Sequence, residues 1–505
     1  MRVTTKMINN SMMNQMSTNK NKMFGLEEQY NSGKKIQRPS DDPIIAVRSL
    51  KLRSTISEVN QYLENNIPDA RSWMEITESS LKNMNSIFTK AYTDMEHGAN
   101  DTLTTSDRKS ILENLKQYKE QIYHEGNVDN AGRYVFTGYK TNNSLLFDRD
   151  EDNLDYEITQ TFGRDDMERI QRLTGTYNVT DYDSDNPDAD MFKKPPEMVA
   201  DLYRIQLGYK DIKDGSITAD SITYTTTDAD GNKVSKPINT LGFTVTNIEV
   251  GDQDIYNVQD NEIRINSQTG EILFGKNVYD ALRLQEDGEI GITYGKNSFE
   301  SGLVKPEHYY DCKVTNKYGE VTDYKHSSQD IYYEINFGQK IQVNVNMENV
   351  TGNEFARKID DLEEIIERVG NIEKDIEEIE RKLKDSGINE EQKKTLNALK
   401  SQKEIELSLE NDNMTETFEN GLYYIKEYQA QINVSVANLG SRMNRLDLVE
   451  DRLDSQKNNY TELLSKNEDA DIVETYINLS SAENIYNASL QVSTKIAKTS
   501  LLDYL

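Results

Sequence analysis

The chain has 505 residues, and 88 Asp plus Glu outweigh 58 Lys plus Arg to leave a formal charge of -30. That length suits about three domains, and so acidic a chain argues against general nucleic-acid binding, which needs clustered cations facing phosphate. A single cysteine, Cys312, rules out an intramolecular disulfide, while no run of eighteen apolar residues and no apolar leader marks a membrane span or a cleaved secretory signal.

The amino-terminal arm departs from this average. Residues 1–60 carry ten Lys or Arg against five Asp or Glu, and the first acid is Glu27. Its face carries Met, Ser and Asn rather than Trp or Phe, which suits a protein partner better than a membrane surface. Met12, Met16, Met23, Leu26 and Tyr30 recur at helical spacings, with Asn9 and Asn19 interrupting the stripe. The pattern predicts a thin amphipathic helix over residues 3–30, marginal in water without something to pack against.

The next stretch, GKKIQRPSDDP at 33–43, reads as a bend followed by a helix start. Ser40, Asp41 and Asp42 are N-cap residue types, Pro43 suits the first helical position, and Pro39 disfavours helix at Arg38. Beyond it Leu52, Ile56, Val59 and Leu63 continue a helical stripe, and Pro68 predicts a kink or restart. Ala70, Met74, Thr77, Leu81, Met84, Phe88, Ala91 and Met95 then alternate steps of four and three, with Trp73 beside the seam. A further helix is expected with Ser106 as its cap and Ile111, Leu115, Tyr118 and Ile122 on its apolar face.

Residues 146–349 are different material. They hold most of the prolines, many Tyr, Thr and Val, and hairpin-like runs such as TYTTTDADGNKV and EIRINSQTGEILFG, which predict an inserted β domain or two small ones. Residues 354–410 follow as a charged antiparallel helical hairpin around a DSGIN turn. Twelve acids against seven bases between Glu354 and Asp385 read as a solvated face. From Phe418 to Leu464, steps of four and three visit fourteen positions, eleven of them apolar or Tyr, which is coiled-coil patterning. A weaker stripe through Ile472, Tyr476, Leu479, Ile485, Val492 and Ile496 to Leu501 and Leu502 ends the chain in another helix that needs a partner.

The fold expected is mainly α with an inserted β domain. The N- and C-terminal helices, far apart in sequence, pair into an antiparallel coiled coil and helical-bundle body. The terminal arms are 1–32 and 470–505, disordered in the free monomer; the bundle takes 33–145 and 350–469, and the β insertion at 146–349 faces solvent.

Chemistry is scarce. His97, His124, His308 and His326 share no metal or catalytic spacing, and Cys312 in HYYDCKVTN reads as a strand thiol. DADG at 228–231 has Thr226 and Pro237 where a calcium loop needs its first and twelfth ligands, so it reads as a hairpin turn. No phosphate-binding loop is present. Neither an enzyme nor a cofactor or metal site is expected.

Several segments carry a resemblance. MRVTTKMINNSMMNQM, SGKKIQRPSDDPIIAVRSL, NAGRYVFTGYKT at 130–141, LGSRMNRLDLVEDRLD at 439–454 and the closing SLLDYL together resemble the hook-filament junction members of the flagellin superfamily. The match covers roughly 1–145 and 415–505. Flagellins themselves are the near alternative, but the Arg38, Pro39, Ser40, Asp41, Asp42, Pro43 run is similar to the junction pattern. The resemblance implies a structural subunit of the bacterial flagellum, joining the hook, through a neighbouring hook-associated protein, to the flagellin filament; a flagellin-like filament subunit is the alternative. It implies copies of the same chain, flagellin and a cytoplasmic export chaperone as partners, with neither nucleic acid nor membrane among them. It also implies type III export from the cytoplasm to the extracellular flagellum. Met7, Met12, Met16, Met23, Leu26, Ile472, Tyr476, Leu479, Ile485, Val492, Ile496, Leu501 and Leu502 are then expected at subunit interfaces, with Arg38–Pro43 as the hinge.

Overall fold

The structure, a computed structural model, describes residues 5–498 except 174–176, 178, 183, 185–198, 229–231, 249–254, 286–288 and 326–328. It opens with helices α1 (Thr5–Ser32) and α2 (Pro43–Gln61), a π-helical turn (Tyr62–Asn66), α3 (Ile67–Gly98) and α4 (Thr105–Gly126). The β region holds β1 (Asp129–Asn130), β2 (Arg133–Tyr134), β3 (Asp155–Phe162), β4 (Glu168–Leu173), β5 (Val199–Gln206), β6 (Ile222–Thr227), β7 (Lys233–Pro237), β8 (Thr244–Asn247), β9 (Glu262–Asn266), β10 (Glu271–Phe274), helix α5 (Lys276–Arg283), β11 (Ile290–Lys296), β12 (Asp311–Thr315), β13 (Val321–Tyr324), β14 (Tyr332–Asn336) and β15 (Gln339–Gln342). Helices α6 (Glu354–Leu383), α7 (Glu390–Glu468) and α8 (Ile472–Lys498) complete the described chain. It forms two compact units, one of residues 1–71, 333–341 and 443–505 and one of 72–332 and 342–442.

Pro68 does not restart the helix. It lacks the N–H that would reach the Glu64 carbonyl, and the turn just before it widens to π geometry, with Ile67 N–H donating to Tyr62 O. Thr104, not Ser106, caps α4. Asp107 lies three residues after Thr104, so the two side chains satisfy each other's backbone N–H groups in a capping box, which Ser106 has no acid placed to complete.

The heptad stripes become core. On α3, Ile67, Ala70, Met74, Thr77, Leu81, Met84, Phe88, Ala91 and Met95 are all at most 1% exposed. On α7, Phe418, Ile425, Ile432, Leu439, Leu446 and Leu453, each seven residues from the next, are fully buried. Within the second unit the two helices run antiparallel. Phe88 meets Tyr428 with centroids 5.7 Å apart, and a Cβ on Gly421 would sit 2.9 Å from the Met95 methyl, so the glycine permits the close approach.

The two large sheets of the β insertion share one core, while residues 333–341, most of β14–β15, fall in the first unit. A six-stranded sheet ordered β13-β12-β3-β11-β6-β7 and a five-stranded sheet ordered β4-β5-β10-β9-β8 contribute to a single apolar cluster, with Ile158, Ile292 and Cys312 from the first and Ile205, Ile265 and Ile272 from the second. Both expected hairpins form, as β6–β7 and β9–β10. Burial pushes the Cys312 thiol up to about 12, so it is an unreactive core group. The NAGRYVFTG segment makes a tight hairpin whose corner residues, Ala131 and Gly132, both take positive φ, at 52° and 78°.

The charged hairpin departs from expectation twice. Its second helix does not end near residue 410 but runs on through the coiled-coil stripe as α7, 79 residues long. Its acids are also not all solvated. The five-stranded sheet presents Arg204, which bonds Glu271 at 2.5 Å and Asp361 of α6 at 2.6 Å, while Arg172 bonds Glu410 of α7 at 2.5 Å. Lys358 closes the group on Glu168 at 2.6 Å. Burial opposes the charge of Asp361, yet Arg204, Lys358 and Arg357 prevail and hold it down at about 2.

Candidate assembly interface

The first unit contains the terminal helices and the bend between α1 and α2. Helices α1 and α8 pack on each other. Asn19 Nδ2 donates to Ser489 Oγ at 3.0 Å, and the rings of Tyr30 and Tyr476 lie 5.8 Å apart, so the pair is antiparallel. The α1 positions that lose solvent are Met12, Met16, Asn19, Met23, Leu26 and Gln29, all half-buried; no described α1 side chain is fully buried. On α8 the matching seam is Thr475, Leu479, Ala482, Tyr486, Ser489 and Ser493, of which only Thr475, Leu479 and Ala482 are buried.

This places the expected interface residues in two groups. Met12, Met16, Met23, Leu26 and Leu479 belong to the seam within the chain. Met7, Ile472, Tyr476, Ile485 and Val492 remain 51–62% exposed. Met7, Ile8, Met12, Met16, Ile485 and Val492 border one open apolar groove along the pair. The Ile496 side chain, Leu501 and Leu502 lie outside the described residues. Sequence reasoning missed the α8 seam because it counted bulky apolar residues, whereas Thr, Ala and Ser at the same 3-4 spacing let the two helices approach. A search for small residues at that spacing finds it.

The bend is a built junction. Gly33, at φ +68°, turns the chain so that Lys34 bridges Asp469; Lys35 N–H donates to Glu468 O at 2.7 Å and Ala470 N–H to Gly33 O at 2.8 Å. Lys34 Nζ bonds Asp469 at 2.5 Å and Glu468 at 2.7 Å, and Arg53 adds a bidentate contact to Glu468 at 2.8 and 2.9 Å. The hydrogen bonds to Asp469 and Glu468 raise the Lys34 pKa, and the Lys34 bond in turn lowers that of Asp469. Asn467 ties the same turn to α2 by donating to Ile45 O and Ser49 Oγ.

The RPSDDP residues divide their roles. Asp41 Oδ2 accepts from the N–H groups of Gln37 and Arg38 at 3.1 and 2.8 Å, which closes the turn. Asp42 Oδ1 accepts from Ile44 and Ile45 N–H at 2.9 and 3.1 Å and is the N-cap of α2, with Pro43 at N1. Arg38, Pro39 and Ser40 are exposed on the turn. The contribution of Lys34, Arg53, Asn467 and Glu468 was not anticipated, since each lies more than 400 residues from its partner. Among the described residues, no group of three or more His, Cys, Asp or Glu is placed to hold a metal, and no helix is long and apolar enough to cross a membrane.

Comparison with known proteins points to the same two ends. Residues 3–141 match the bacterial flagellin N-terminal helical region and residues 422–505 the flagellin C-terminal helical region. Flagellar hook-associated protein 3 of Salmonella typhimurium is 31% identical over 146 residues, 28% of this chain and 44% of that protein, so the match spans less than half of the relative. A flagellin of Clostridium tyrobutyricum is 33% identical over 116 residues, 23% of this chain and 30% of that one. A crystal structure of flagellar hook-associated protein 3 from Legionella pneumophila aligns over 82% of this chain and 97% of its own, at 13% identity and a TM-score of 0.31. At its two ends, then, the chain is similar to the terminal helical regions of bacterial flagellins.

Proposed function

We propose that the chain is a structural subunit of the bacterial flagellum, an adaptor that joins the hook, through a neighbouring hook-associated protein, to the flagellin filament. The observation that carries this reading is the contrast between the junction and the arms beyond it. Backbone bonds and ion pairs hold Gly33–Lys35 and α2 against Asn467–Ala470, while α1 and α8 share a seam of half-buried methionines and small residues and keep a row of aliphatic side chains in water. An arm pair with so little core gains most by docking, and arms that order only on docking suit a chain exported before it assembles. Contacts that do not close on themselves then build a tube.

The same reading takes flagellin, copies of this chain and a cytoplasmic export chaperone as partners, makes the protein extracellular after type III export and assigns it no catalysis. The match to a Clostridium tyrobutyricum flagellin favours a second reading, a filament subunit. Seeded polymerisation separates them. Purified chain is mixed with sheared ends of flagellar filament and followed by sedimentation. Binding to ends without growth, or growth only after a distinct partner is added, is expected for the adaptor; unaided elongation into long tubes would make it a filament subunit.

A further inference from the structure

Two apolar patches leave the junction on different helices and stay uncovered in the single chain. On the first two turns of α2, Ile44, Val47 and Leu50 are 80%, 66% and 64% exposed, and the exposed cations Arg48 and Lys51 flank them. On the first two turns of α8, Ile472, Val473, Tyr476 and Ile477 are 56–70% exposed, and the exposed acids Asp471 and Glu474 flank them. Scattered surface aliphatics need no explanation, but three or four on consecutive turns of one helix face do.

We infer that the α2 patch of one copy seats on the α8 patch of a second copy. The charges select this pairing. Two α2 patches would bring Arg48 and Lys51 against the same pair, and two α8 patches would oppose Asp471 and Glu474 to themselves; only the mixed contact sets cations against acids around an apolar centre. Both patches are uncovered within one chain, so the contact lies between copies. Repeated from copy to copy, a contact between unlike patches is head-to-tail and gives a ring where the rotation closes and an open helical array where it does not. The inference rests on the reading of the chain as a subunit of a tubular assembly and names the surfaces by which its copies meet.

The test uses two full-length variants, Val47→Cys and Ile477→Cys, both at exposed positions, with buried Cys312 left in place. Each is treated with a short bismaleimide alone and mixed with the other, in concentrated solution and on filament ends. A species of twice the chain mass is expected in the mixture and absent from either variant alone. A link within Val47→Cys alone, a link to a seed protein instead of a second copy, or no link under either condition would overturn the inference. In a second measurement, Ile44→Asp, Val47→Asp and Leu50→Asp together should weaken self-association by roughly a hundredfold while the thermal melt stays put; unchanged self-association would also overturn it. If the link forms but the chain does not behave as an adaptor at filament ends, the interface stands and the adaptor reading falls.

Discussion

The arm pair and the body of the second unit are both built on 3-4 stripes, yet they end in opposite states. On α3 every member of the stripe from Ile67 to Met95 is at most 1% exposed, whereas on α1 every member is at best half-buried. Spacing alone therefore does not make core. On α3 the stripe carries Leu, Met and Phe and meets large residues such as Phe355 and Tyr428; on α1 it carries methionines and Asn19 and meets Ala482, Ser489 and Ser493. Burial scales with the apolar area that both sides bring, and most helix stability comes from that packing.

Removing the arms is the harshest test of this contrast. Deleting residues 1–30 or 475–505 is expected to abolish incorporation at filament ends while far-UV strand signal and the cooperative melt persist; collapse of the whole melt would show that the arms are part of the folded core. Next in size is Arg204→Met. It leaves Glu271 buried without its bonded cation and Asp361 and Glu168 to share Lys358, and chemical denaturation should show a loss of about 3–5 kcal/mol. The same cluster sets acid sensitivity. Asp361 is held at about 2, below its unfolded value near 3.9, so its contribution is present above about pH 4 and is lost as pH falls towards 2.

Trp73→Ala truncates a side chain 1% exposed; a loss of about 3–4 kcal/mol is expected from lost burial and the cavity left behind, with end binding retained if the chain still folds. Asp42→Ala removes the α2 cap and should cost about 1 kcal/mol, read as a small drop in melting temperature; Asp42→Asn should recover most of it. The smallest effect belongs to Glu364. Burial first, then the nearby Glu271, raises its pKa to about 7, so the fold favours its neutral form, a benefit present below about pH 4.5 and lost as pH rises through 7. Glu364→Gln should stabilise the chain at pH 8 by less than about 1 kcal/mol, because the side chain is 38% exposed and solvent screens it, and should change nothing near pH 4.

Much of the fold was legible because periodicity is a local property. The α3 and α7 heptads, the Asp42–Pro43 start of α2, the β6–β7 and β9–β10 hairpins and the strand thiol at Cys312 all rest on residues a few positions apart. The Ser106 cap failed because a cap is decided by which acid lies three residues on, and Asp107 serves Thr104. The solvated reading of the 354–385 acids failed at Asp361 because charge counts along a helix do not reveal that a sheet from another part of the chain brings Arg204 to meet it. The α8 seam was missed for a related reason: Thr475 and Ala482 lose their solvent only when another helix lies across them.

By itself the sequence determined the order of materials, helical at both ends and β in the middle, together with the stripes that must find cover and the likeness of the terminal segments to flagellin helical regions. Tertiary structure alone decided which stripes found that cover. Lys34 and Arg53 reach Glu468 across more than 400 residues, and the same folding that buries the α3 stripe leaves Ile44, Val47, Ile472 and Tyr476 in water. Exposure is a property of what lies opposite a side chain, and in this protein what lies opposite is set by contacts between segments far apart in the chain.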